Sequence, residues 1–122
     1  MSGSDFRDLV VWQKAKKLAI TIYRLSSEGE LARDFAMRDQ MRRACVSVCS
    51  NIAEGNERGT DRDTVRFLRV AKGSAAELIA QLEIAEAVGL IESERARAAL
   101  ADVDEIARML GGLIKARERF IQ

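Results

Sequence analysis

Between residues 68 and 85, Leu68, Ala71, Ala75, Leu78, Leu82 and Ala85 follow one another at alternating steps of three and four. That rhythm puts every member on one stripe of an α-helix, whereas a strand would throw successive members onto opposite faces. Three further stretches share the pattern. The first runs through Val11, Ala15, Leu18, Ile22 and Leu25, and the second through Phe35, Met41, Ala44, Cys45, Val48, Ile52 and Ala53. The last runs through Ala96, Leu100, Val103, Ala107, Leu110 and Ile114, widened by Ile106 and Leu113. No Pro interrupts any of them. The spacing predicts helices over about 8–25, 30–54, 61–88 and 94–119. Short polar connections between four long amphipathic helices predict a single all-α domain spanning 1–122, an antiparallel up-down-up-down four-helix bundle.

The punctuation between these stretches agrees with that reading. Ser26-Ser27-Glu28-Gly29 ends the first pattern, Gly55 is placed to cap the second in a left-handed conformation, and Gly89 terminates the third. Thr60 or Asp61 can cap the third helix, with Asp63 in its first turn where the helix dipole favours a carboxylate. At about 1.5 Å per residue this helix would span roughly 42 Å. Ser93 is the expected cap of the fourth. Gly111 and Gly112 fall inside it at a cost of about 1 kcal/mol each relative to Ala, which predicts bending or close packing unless the helix ends near residue 110. Small residues dominate the second stripe, so the region of Ala44, Ser47 and Ala53 should be a tight helix crossing.

The formal charge of +1 argues against indiscriminate polyanion binding by the whole chain. Its distribution is uneven: residues 1–73 carry 14 Lys or Arg against 10 Asp or Glu, residues 74–122 six against nine. No secretion signal or membrane-length apolar run is legible, so the expected location is cytoplasmic with no membrane partner. Cys45 and Cys49, one helical turn apart, read as reduced thiols in or near the core.

Candidate chemistry is sparse. Two cysteines fall short of a structural zinc set, and the chain has no His to complete one or to act as a general base. Glu54 with Glu57, and Glu83 with Glu86, have the three-residue spacing of solvated or ion-paired helix faces. The segment Glu54 to Thr60 lacks a phosphate-binding Lys and reads as a helix-helix turn. The reading is therefore non-enzymatic, with no catalytic residue, metal or cofactor. Arg58, Arg62, Arg66 and Arg69, spaced four, four and three, are the candidate nucleic-acid contacts, a basic row able to track phosphates. The competing reading, favoured by helical spacing, pairs these arginines with carboxylates. Counting back from a turn near Arg58 sets Glu54 level with Arg62, and Arg43 level with Gly73 to Glu77, which would allow an Arg43–Glu77 contact between helices. Asn51, among small residues, is expected to bond a backbone group or another subunit. Val10, Phe67, Val70, Ile79, Ile84 and Val88 exceed what one inner face needs and imply a second buried surface, an oligomer.

Three segments carry a resemblance to a known family. They are Asp8-Leu9-Val10-Val11-Trp12-Gln13-Lys14-Ala15, the run from Arg42-Arg43-Ala44 to Ser50-Asn51-Ile52-Ala53-Glu54-Gly55, and Gly73-Ser74 with Glu77. In order and spacing the chain, from Phe6 to about Leu113, resembles the S23-type bacterial bundle proteins, first described from reading frames inside intervening sequences of 23S rRNA genes. The resemblance implies an up-and-down bundle, a homo-oligomer in the form of a pentameric ring, and a loose link to RNA through gene context. A related bundle is an accessory subunit of a reverse transcriptase, which makes RNA or a nucleic-acid enzyme a candidate partner by analogy. Many relatives carry Pro where this chain has Cys49, which predicts a less bent second helix here. The expectation is a homo-oligomeric accessory protein associated with nucleic acid, the alternative a protein-binding scaffold without that role.

Overall fold

The computed structural model describes residues 5–121. A 3-10 turn, Phe6–Asp8, leads into α1 (Val10–Leu25), α2 (Gly29–Arg33), α3 (Phe35–Asn56), α4 (Asp61–Ala87) and α5 (Ser93–Glu118). Helix α3 packs on α1 and α4, and α5 packs on α4 and α1, so the four long helices close a bundle. Ion pairs record their directions. Asp61 at the start of α4 meets Arg117 at the end of α5, and Glu86 near the end of α4 meets Arg97 near the start of α5. Lys14 with Glu105 and Glu28 with Arg95 give the same antiparallel sense to α1 and α5.

The periodic stripes form the core. Leu18, Ile22, Val48, Ile52, Leu78 and Leu110 are among the side chains wholly removed from solvent, each worth about 1.5–3 kcal/mol of burial. Between α3 and α4 the contact is polar as well as apolar. The hydroxyls of Ser47 and Ser74 lie 2.8 Å apart, and Asn51 Nδ2 donates to the Ser47 carbonyl at 2.8 Å and to its Oγ at 3.1 Å.

Three local expectations are revised. The second helix is two: Asp34, at φ −89 and ψ 85, interrupts the helical path, and its carboxylate accepts the Met37 N–H at 3.0 Å to start α3 afresh. Gly55 is not a left-handed cap, because positive φ among the described residues occurs only at Gly29 and Gly89. It is helical, and its lack of a side chain admits α4: a Cβ would stand 3.2 Å from Phe67 Cβ and 3.3 Å from the Thr64 carbonyl oxygen. Ser93 opens α5 but does not cap it; the cap position belongs to Glu92, which makes no side-chain bond. Helix α5 passes through Gly111 and Gly112 to Glu118.

Other ends follow the sequence. Thr60 Oγ1 accepts the Asp63 N–H at 3.2 Å. At Gly89, with φ 82, the Gly89 N–H meets the Glu86 carbonyl at 3.1 Å and the Leu90 N–H meets Ala85 at 2.8 Å, the paired bonds of a Schellman end. Helix α3 continues unbroken through Cys49.

Candidate functional site

The arginine row lies along the first half of α4 and the turn before it, and Arg58, Arg66 and Arg69 each meet a carboxylate of the chain. Arg58 reaches Glu54 at 3.4 Å and Arg66 reaches Asp63 at 3.8 Å, while both guanidinium groups stack on Phe67, 4.5 and 4.6 Å from the ring centre. Arg69 pairs across the bundle with Glu118. Glu54 thus meets Arg58 rather than Arg62, because a pair four residues apart on one helical turn needs no bridging of the hairpin. Arg62 instead faces the hollow between the α3–α4 turn and the end of α5. Arg58, Arg62, Arg117 and Phe120 line this space of about 370 Å³ together with Thr60 and Asp61. Arg117 and Asp61 are 2.7 Å apart in its wall.

Arg43 and Glu77 flank a second hollow with Gln40, Ala44 and Ser47, and no ion pair joins them. Asn51 spends its amide on its own helix, where it orients Ser47.

A hollow of about 590 Å³ lies on the outside of α1 and is predominantly apolar. Trp12, Ala19, Ile20, Tyr23 and Cys49 form it, with Lys16, Arg24, Ser27 and Glu28 around it. Trp12 is steadied by an edge contact with Phe6, ring centres 4.9 Å apart. Arg42 steadies the far end, stacking 4.7 Å over Tyr23 and donating to Ser26 Oγ at 2.7 Å and Ser27 Oγ at 3.0 Å. Burial pushes the Cys49 thiol up to about 11. Burial, and secondly the neighbouring Cys49, raises Cys45 to about 11 as well. Neither thiol is activated as a nucleophile.

A different face of the bundle carries a second apolar strip. Val70, Ile84 and Val88 of the α4 stretch expose 48, 52 and 64% of their surface, with exposed Gly73, Ala80 and Ala87 between them. Of the other surplus apolar residues, Val10 is exposed too, Ile79 packs partly against the core, and Phe67 lies under the two arginines. Sequence reasoning missed the outer face of α1. The signal was present: Trp12, Lys16, Ala19 and Tyr23 are spaced four, three and four, a second stripe beside the polar one.

Among the described residues no group of three or more Cys, Asp or Glu is placed to hold a metal ion. No described helix is long and apolar enough to cross a membrane.

Comparison with known proteins adds an independent line. No curated protein matches the sequence significantly. One solved structure, from Bacteroides thetaiotaomicron VPI-5482 and described as a protein of unknown function from the S23 ribosomal protein family, superposes with a TM-score of 0.80 at 27% identity, over 87% of this chain and 99% of that one. The family model for the 23S rRNA-intervening sequence protein matches residues 7–112. With the helical bundle and the motifs that run through it, this match makes the chain a member of the 23S rRNA-intervening sequence protein family.

Proposed function

We propose that the chain is a non-enzymatic protein that works as a homo-oligomer, in which the apolar hollow on α1 of one copy receives the outer strip of α4 of the next. The observation that carries this reading is the complementarity of the two faces. Helix α1 offers Lys16, Lys17 and Arg24 and no acid, whereas the α4 strip carries the exposed Glu77 and no base over residues 74–87; Lys14, Glu83 and Glu86 are spent on Glu105 and Arg97 of their own chain. Each face also presents exposed apolar side chains: Ile20 and Tyr23 on one, Val70, Ile84 and Val88 on the other. Contact between different faces of identical chains is heterologous, and it closes into a ring when the rotation between copies permits. Assembly of this kind also fits the ring implied by the family resemblance.

Binding of nucleic acid along the whole arginine row is not part of this function. Arg58, Arg66 and Arg69 already face Glu54, Asp63 and Glu118, and these carboxylates would offset much of the attraction for phosphates.

Light scattering on the separated protein tests the assembly. Ile20→Glu spoils the hollow and leaves the α4 strip intact; Ile84→Glu does the reverse. Each variant alone should be monomeric with unchanged helix content, and an equimolar mixture should give a two-chain species through the one surviving pair of faces. A monomeric wild type, or an Ile84→Glu variant that assembles normally, rejects the proposed contact.

A further inference from the structure

Glu77 stands at the centre of the outer strip of α4, seven residues from Val70 on one side and from Ile84 on the other, so all three share one helix face. It is exposed and has no ion-pair partner among the described residues. Arg43 faces it across a hollow of about 430 Å³ without joining it. A lone carboxylate between apolar side chains is costly to cover, because its water is stripped away and nothing takes that water's place. The acid weakens the strip unless the covering surface brings a cation.

The hollow on α1 carries one at a matching place. Lys16 is exposed, has no carboxylate partner among the described residues, and holds its ammonium 5.8 Å from the centre of the Trp12 ring. Trp12 and Ile20 flank it, four residues to either side, and both line the hollow. On α4 the residues flanking Glu77 at comparable distance are Gly73 and Ala80, both exposed. At 1.5 Å of rise per residue the flanking positions lie about 6 Å from Lys16 and about 5–6 Å from Glu77. Large side chains around a cation thus oppose small ones around an anion.

Resting on the assembly proposed above, we infer that Glu77 of one copy pairs with Lys16 of the next, whose Trp12 and Ile20 seat over Gly73 and Ala80. The pair fixes where along α1 the strip comes to rest. With Glu77 opposite Lys16, Val70 and Ile84 come level with Leu9 and Tyr23, the residues seven away on either side. Arg24, also on the rim of the hollow, is a poorer match: Glu77 opposite it would carry one end of the strip past Leu25, where α1 stops. A slide by one turn from Lys16 sets Glu77 against Trp12 or Ile20 and leaves both charges covered and unpaired. The pair therefore acts on the specificity of the contact as well as on its strength.

Sedimentation velocity over a dilution series of the full-length protein tests the pairing. Lys16→Glu and Glu77→Lys each bring like charges together and should raise the dissociation constant about tenfold or more. Both positions are exposed, so helix content should not change. The double variant exchanges the two charges and should recover most of the wild-type affinity, whereas Arg43→Ala should leave the constant unaltered. Single variants that weaken assembly without recovery in the double variant overturn the pairing. An effect of Arg43→Ala equal to that of Glu77→Lys overturns it too, since the partner of Glu77 would then lie in its own chain. Wild-type affinity in both single variants, with Ile20→Glu and Ile84→Glu still dissociated, overturns the pair and leaves the two faces standing. A wild type that is monomeric at every concentration removes the faces and the pair together.

Discussion

Two glycines in long helices should answer the same substitution with opposite signs. Gly112 lies inside α5 with nothing within 4 Å of the position a Cβ would take. Replacement by Ala there recovers helix propensity and should stabilise the protein by about 1 kcal/mol. Gly55 lies inside α3, where the same methyl meets Phe67 Cβ at 3.2 Å and the Thr64 carbonyl oxygen at 3.3 Å. One of those neighbours is backbone, and Thr64 also donates to the Gly55 carbonyl at 2.9 Å, so α4 cannot move away without straining that bond. Overpacking of this kind costs about 1–3 kcal/mol. Set against the same propensity gain of about 1 kcal/mol, Gly55→Ala should be neutral to destabilising by about 2 kcal/mol. Urea titration followed by circular dichroism, at one fixed protein concentration because assembly contributes to stability, reads the difference. With a slope of about 1–3 kcal/mol per molar, Gly112→Ala should raise the midpoint by roughly 0.3–1 M and Gly55→Ala should leave it unchanged or lower it. Equal stabilisation by both would refute the close approach of α3 and α4.

Two further outcomes follow from buried groups. Gln81 is buried on α4 and its Oε1 lacks a hydrogen-bond partner, so Gln81→Leu should raise stability by about 1 kcal/mol in the same titration; a loss would mean the amide is satisfied in solution. Cys45 and Cys49 ionise near 11 in the folded chain against 9.0 for an ordinary thiol. A thiol whose ionisation is raised by folding contributes stability that is whole below about pH 9 and disappears as the pH climbs through 11. Melting temperature should therefore fall across that window, and a double Cys→Ser variant should show a smaller fall. Iodoacetamide should label both thiols slowly at pH 8; rapid labelling of either would contradict its burial.

Helix positions were legible because the core stripes repeat with the helical period over many turns, and no other element could bury them. Errors arose where one contact outweighs the pattern. Asp34 splits the second helix through a single hydrogen bond to Met37, and nothing in the apolar spacing announces it. Gly55 resembles a terminator in sequence, yet its purpose is set by Thr64 and Phe67, which only the folded hairpin brings to it. The arginine row was visible as spacing, but its partners were only partly so. Asp63 and Glu54 are within one turn of Arg66 and Arg58, whereas Glu118 lies 49 residues from Arg69 and Arg117 lies 56 from Asp61. For that reason the hollow beside Phe120 could not be read in advance. The stripe of Trp12, Ala19 and Tyr23 was overlooked because α1 has two apolar stripes and the first already satisfied the bundle.

The paired hydroxyls of Ser47 and Ser74 make the mating of α3 and α4 unique. The stripe of α4 already resists a slide by two turns, about 10 Å, because seven residues on from Leu68, Ala71, Ala75 and Leu78 stand Ala75, Leu78, Leu82 and Ala85, large for small and small for large. Polar groups do not forgive that slide. Displaced one way, Ser47 would confront Phe67, and displaced the other, Gln81, while Gly55 would lose the Thr64 bond in either case. A few weak bonds thus act as a vernier, sharpening the one alignment that the large and small members of the stripe already favour.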